Sequence, residues 1–189
     1  MAIDYTAILN RFVAVAVEGV GSQLSLIDGQ YPAVIRSRQD APKPDYPYVV
    51  LDILNTSQED GWLSHEGIDE NNNLFYTTRY QMLLNYTVYG DNAATIANQL
   101  EGFFRLERVR DSITNDIEVG IVQTNPISSI PQLLADKYVE AAQFSLVANV
   151  SDTFTDTSVE TVIEGIDLDG ELARGNEDPS PIPFNITTP

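Results

Sequence analysis

The alternation of apolar and polar side chains is strongest between Leu74 and Val88. Even positions read Tyr76, Thr78, Tyr80, Met82, Leu84, Tyr86 and Val88. Odd positions read Thr77, Arg79, Gln81, Asn85 and Thr87, with Leu83 as the one aliphatic. A period of two sends successive side chains to opposite faces, so the stretch reads as a strand with one dry and one wet side. Gly90 breaks the run, and Asp91 or Asn92 then offers a side-chain oxygen to the free N–H groups that open a helix. Ala93, Ile96, Ala97, Leu100, Phe103 and Phe104 follow on one helical stripe. A strand running straight onto a helix with a matching apolar face is a packing unit.

The same reading extends to both sides. Asp4 caps a first helix that runs to Glu18, with Tyr5, Ile8, Phe12 and Val15 facing inward and Gly19 or Gly21 ending it. A short strand, Tyr31 to Arg36, follows an Asp28–Gly29 turn. Pro42, Pro44 and Pro47 hold the next segment extended, and it delivers Tyr48 to Asn55, a β-branched buried strand. Residues 58–73 are polar and acidic and read as a long loop or flap. Ile117 to Val122 reads as a strand, and Tyr138 to Val150 alternates again, with Ala142, Phe144, Leu146, Ala148 and Val150 on one face. Val159 to Leu168 reads as a last strand. The expected fold class is α+β, with two main helices packed on a largely antiparallel sheet. Residues 1–172 form one domain, and residues 173–189 form a Pro-rich arm.

Composition narrows the chemistry. The chain has 189 residues, enough to bury roughly 70% of its unfolded surface without covalent staples. It contains no cysteine, which excludes disulfides, thiol nucleophiles and thiolate-held metals. Its start lacks the basic residues and unbroken apolar run of a signal peptide, and no stretch approaches the roughly 20 apolar residues that span a bilayer, so no membrane partner is expected. The net charge of -18 makes free nucleic acid a poor ligand, because binding needs Lys and Arg to displace condensed counterions.

Candidate catalytic and metal motifs do not assemble. His65 is the single histidine; its neighbours Ser64 and Glu66 point away from it in any extended backbone, so no triad forms locally. Asp69 to Asn73 opens like a calcium loop but has Leu74 where glycine is required and Tyr80 where the closing glutamate belongs. Gly19-Val20-Gly21 lacks the third glycine and the preceding strand of a dinucleotide site. The expectation is no catalytic residue, no metal and no cofactor. The residues that remain as candidate partner contacts are Trp62, His65 and Asp69 in the loop. In the arm they are Ile182, Phe184 and Ile186, apolar at alternate positions of an extended chain.

Three stretches resemble the tail-terminator (neck) proteins of contractile-tailed bacteriophages. The first is Gln39 to Tyr48, with its spaced prolines and Pro47-Tyr48 lead into a strand. The second is Arg79-Tyr80-Gln81 in the long strand, followed by Val88 to Ala93 at the helix start. The third is Asp136 to Ala142, with Val159 to Val162 as the closing strand. The likeness spans roughly residues 4 to 172. The chain departs from the pattern at Ala141, where the family carries arginine, and in the 58–73 loop and the tail. The resemblance implies a homo-oligomer, a hexameric ring in the virion neck, assembled in the host cytoplasm. That ring caps the tail tube and sheath and meets the head connector, with DNA passing through its lumen. Two other readings stay open: a different phage ring component, for head completion or the baseplate, and a small acidic hydrolase using a pair of carboxylates.

Overall fold

A computed structural model describes residues 3–38, 42–58, 65–69, 73–134, 137–156, 168–172 and 182–186 of the chain. Helix α1 spans Tyr5–Val20. Its cap is the expected one: Asp4 Oδ1 accepts from the Thr6 N–H at 2.9 Å and the Ala7 N–H at 3.0 Å. The helix runs two residues past Glu18 before a 3-10 turn, Gly21–Gln23. Strands β1 (Leu26–Ile27) and β2 (Tyr31–Pro32) form a small hairpin. In the three-residue loop between Ile27 and Tyr31, Asp28 and Gly29 both have positive φ and the Gln30 N–H donates to Ile27 O at 3.1 Å. The strand expected over Tyr31 to Arg36 is therefore two strands, β2 and β3 (Val34–Arg36). Ala33 separates them, its N–H bonded to Ser25 O and its carbonyl to the Val49 N–H.

Strand β4 (Tyr48–Gln58) is three residues longer than its sequence pattern indicates. The 58–73 segment is not all loop: β5 (His65–Ile68) lies within it and pairs with β6 (Leu74–Tyr89). Helix α2 (Ala93–Phe104) follows, then α3 (Glu107–Ile117). The third helix corrects the expectation of two. It carries only Val109 and Ile113 as buried residues among many charges, too thin a stripe to stand out in the sequence. Because Ile117 ends α3 and Glu118 turns left-handed at φ 55°, the next strand, β7, starts later than expected and spans Gly120–Thr124.

Short strands β8 (Ser128–Ser129), β9 (Gln132–Leu134) and β10 (Lys137–Val139) precede the long β11 (Ala141–Asp156). The main sheet runs β3-β4-β6-β11-β7, with β5 also on β6 and β8 on β11. β3 is parallel to β4, while β4–β6 and β11–β7 are antiparallel, giving the α+β class. Strand β12 (Leu168–Leu172) pairs with β13 (Ile182–Ile186) in a separate two-stranded sheet. Most of the strand expected over Val159 to Leu168 lies outside the described residues.

The chain divides into two compact units, Met1–His65 with Tyr76–Phe154, and Glu66–Phe75 with Thr155–Pro189. The core of the first follows the period-two and period-3.6 stripes of the sequence. Met82, Leu84, Tyr86 and Val88 on β6 are fully buried, as are Phe144, Leu146 and Ala148 on β11. Phe12 of α1 and Phe104 of α2 close over them. The Tyr86 ring stacks on Phe144 at 5.3 Å and meets Phe104 at 5.2 Å, and Phe104 meets Phe12 at 5.9 Å. Each such ring stabilises the fold by roughly 2–3 kcal/mol through burial. The Tyr86 hydroxyl donates to Phe12 O at 3.1 Å, so its one polar atom is satisfied.

Candidate partner-contact surface

Described parts of the three stretches, Tyr46 to Tyr48, Tyr89 to Ala93 and Glu140, meet at one end of the main sheet. Asn92 is the N-cap residue of α2, but it is left-handed at φ 63° and its side chain bonds no helix N–H. This corrects the expectation that Asp91 or Asn92 caps the helix. The cap is Glu140, between β10 and β11, whose carboxylate accepts from the Asn92 N–H at 3.1 Å and the Ala94 N–H at 3.4 Å. A negative charge there also faces the positive end of the helix dipole. The Glu140 carbonyl accepts the Gly90 N–H at 2.9 Å. One residue thus fixes the turn between β6 and α2 through its main chain and its side chain.

A stack of tyrosines abuts the same turn. Tyr46 lies on Tyr48 at 5.4 Å, and Tyr48 lies on Tyr89 at 5.0 Å, with interplanar angles of 27° and 22°. The Lys43 ammonium sits 4.4 Å from the Tyr46 ring centre and donates to the Tyr46 hydroxyl. That hydrogen bond holds the Lys43 pKa above its ordinary value, while burial pushes the Tyr48 phenol up. Gly90 has φ +107°, and a Cβ on it would come within 2.8 Å of Tyr46 Cβ and 3.1 Å of Pro47 Cα. The glycine is required by both its backbone and its neighbours. Pro47 of the connector, Gly90 after β6 and the late Glu140 are therefore parts of one joint.

Tyr46 stays 39% exposed and Tyr138, two residues before Glu140, is 79% exposed. An aromatic ring left in water beside a rigid joint is the kind of side chain that anchors protein interfaces. The sequence pattern marks Tyr48 and Tyr138 only as the first residues of strands and as parts of a resemblance. The role of Glu140 depends on a contact between residues 48 apart, which no local pattern signals.

The residues singled out in the sequence are distributed differently. Trp62 lies outside the described residues. His65 opens β5. The Asp69 carboxylate accepts from the Asn73 N–H at 2.8 Å and from Asn73 Nδ2 at 3.1 Å, so it closes the turn between β5 and β6. Ile182, Phe184 and Ile186 lie in β13, in register with Leu172, Gly170 and Leu168 of β12.

Elsewhere in the first unit, buried Glu101 lies at the wall of a cleft of about 380 Å³ with Asn98, Asn125 and Pro126. Its carboxylate accepts from Arg105 Nε at 2.6 Å and from the Thr124 hydroxyl. A carboxylate held by a guanidinium and a hydroxyl is braced, not paired with a second carboxylate for acid–base work. Among the described residues no cluster of three or more His, Asp or Glu side chains is placed to hold a metal ion, and no helix is long and apolar enough to cross a membrane.

The helix-backed sheet ends in a braced joint flanked by exposed aromatics. The sequence profile of the phage neck terminator proteins matches residues 6–175, and the chain belongs to that family. It is a structural component of the phage particle, placed at the neck between tail and head proteins. No curated protein matches the chain.

Proposed function

We propose that the protein forms a closed hexameric ring that caps the tail tube and sheath of a contractile phage tail. The ring stops tube growth and presents a surface to the head connector. It assembles in the host cytoplasm and remains in the virion neck. Genomic DNA passes through its lumen without specific binding, and no enzymatic step is involved. The family match over residues 6–175 carries this reading. The charge supports the lumen role, since a subunit with an overall net charge of -18 favours an acidic surface that repels phosphate and lets the cargo slide. The aromatic joint around Tyr46, Tyr48 and Tyr138 is the proposed partner-facing surface on each subunit. The candidates Trp62, His65, Asp69, Ile182, Phe184 and Ile186 are proposed contacts with neighbouring subunits or tail proteins.

Light scattering and negative-stain microscopy of the purified protein, alone and with tail tubes, test the proposal. Sixfold rings, free or at tube ends, are expected. A protein that remains monomeric in solution and leaves tubes uncapped overturns it.

A further inference from the structure

Among the described residues, β3 covers the outer edge of β4 over three residues. Val34, Ile35 and Arg36 of β3 lie beside Val49, Val50 and Leu51. The Val49 N–H donates to Ala33 O, and the Ser37 N–H donates to Leu51 O, both at 2.8 Å. Backbone groups recur on one side of a strand at every second residue, so Ile53 is the next to face that edge. Among the described residues no strand lies along it from Ile53 to Ser57. The run is Ile-Leu-Asn-Thr-Ser, without the lysine, proline or inward charge that shields exposed edges. A bulge between Ile53 and Asn55 turns Leu54 outward, 54% exposed.

Two arginines stand where this open edge begins. Arg36 and Arg38 line a cleft of about 380 Å³ together with Leu9 and Ile53. Neither is in an ion pair among the described residues. Arg36 donates to the amide oxygen of Asn10, and the nearby Asp52 carboxylate accepts from the Ser37 hydroxyl. In a chain of net charge -18, two arginines without an acidic partner among the described residues, at an open strand edge, suit an extended acidic segment.

The chain carries one. β12 reads Leu168-Asp169-Gly170-Glu171-Leu172, and its length of five residues equals the open run on β4. Among the described residues it pairs with β13 alone. An isolated two-stranded hairpin is marginal in water and gains stability from a third strand.

We propose that the β12–β13 hairpin of a second copy adds β12 to the open edge of β4, with Asp169 and Glu171 meeting Arg36 and Arg38. The contact joins two unlike surfaces, so its repetition closes a ring when the rotation between subunits permits. The inference rests on the ring reading above and names the surface that builds it.

The absence of cysteine allows a direct test. Asn55→Cys and Gly170→Cys are placed in one full-length chain, oxidised, and run on a non-reducing gel, with particle size measured on the same sample. A covalent ladder of multimers is expected. The double reversal Arg36→Glu with Arg38→Glu should raise the concentration for half-assembly at least tenfold, and Asp169→Arg with Glu171→Arg on the same chain should restore it. Circular dichroism of each variant checks that the fold persists, and the cysteine pair stands independently of the reversals. A disulfide confined to monomers shows that the hairpin docks on its own chain and overturns the proposal. Rings without the crosslink, unaffected by charge reversal, overturn this contact and leave the ring reading standing. Monomers alone, from the unmodified protein, overturn both.

Discussion

Glu140 caps the helix that follows Asn92, 48 positions earlier, its carboxylate accepting the Asn92 N–H at 3.1 Å. Helix-capping side chains are normally local. Here the helix terminus is completed by a residue from between two later strands, which ties helix, turn and sheet into one unit.

Replacing Glu140 with alanine removes this cap. The expected cost is about 1 kcal/mol, a fall of roughly 2–4 °C in the melting temperature of a chain this size. Glu140→Gln keeps an acceptor and should lose less. Thermal unfolding by circular dichroism distinguishes the two, and an alanine variant as stable as the parent refutes the assignment.

Two glycines should respond to alanine with opposite signs. Gly90→Ala forces a side chain onto φ +107° and into Tyr46 and Pro47, so a loss of about 2–4 kcal/mol is expected. At Gly102, inside α2, an added Cβ would meet nothing within 4 Å, and alanine there should stabilise by about 0.5–1 kcal/mol. Urea midpoints measured side by side check the pair.

Tyr86 makes stability depend on alkaline pH. Its phenol is fully buried, and desolvation holds its pKa well above the ordinary 10.0. A raised folded-state pKa means that the unfolded chain releases its proton first as pH rises. The contribution is therefore complete below pH 10 and is lost above it, by about 1.4 kcal/mol per pH unit. Tyr86→Phe should flatten the decline in unfolding free energy between about pH 9.5 and 11, although Tyr48, also raised, keeps it from vanishing. The variant also loses the hydrogen bond to Phe12 O, about 1 kcal/mol at neutral pH. Equal slopes for parent and variant contradict the burial argument.

The charge balance predicts no affinity for free DNA. With 28 acidic and 10 basic residues, a gel-shift titration at low salt should show no retarded band up to about 10 µM protein, a concentration that reveals ordinary nonspecific binders. Low ionic strength is the severe condition because screening is weakest there. A clear shift would mean that the arginines gather into a basic surface able to grip the duplex.

The elements legible in the sequence are those whose partners lie within one stripe. β6 declares itself because Met82, Leu84, Tyr86 and Val88 alternate without interruption, and all four are buried. α1 declares itself through Asp4 and a continuous inner face. α3 does not, because Val109 and Ile113 are two apolar positions among Glu107, Arg108, Arg110 and Asp111, and its placement depends on α1 and β7 rather than on its own pattern. β5 is hidden in a polar stretch since its strand character comes from pairing with β6. The partner-contact candidates stand out in the sequence as isolated aromatic, apolar and charged side chains. The joint of Tyr46, Gly90 and Glu140 has no such signature because it is assembled from three distant segments, each bland alone.

The long reach of Glu140 also sets an order of events in folding. The β4–β6 ladder starts from Gln58 and Tyr80, 22 positions apart, a closure that costs less chain entropy than bringing residue 140 back to residue 92. The first turn of α2 cannot be completed until the chain has passed through α3 and β7 and returned at residue 140. Until then its leading N–H groups are exposed to water and that end frays. Completion of the helix and docking of the late strand are thus a single late event, and the folding rate is governed by contacts far apart in sequence rather than by the propensity of α2 itself.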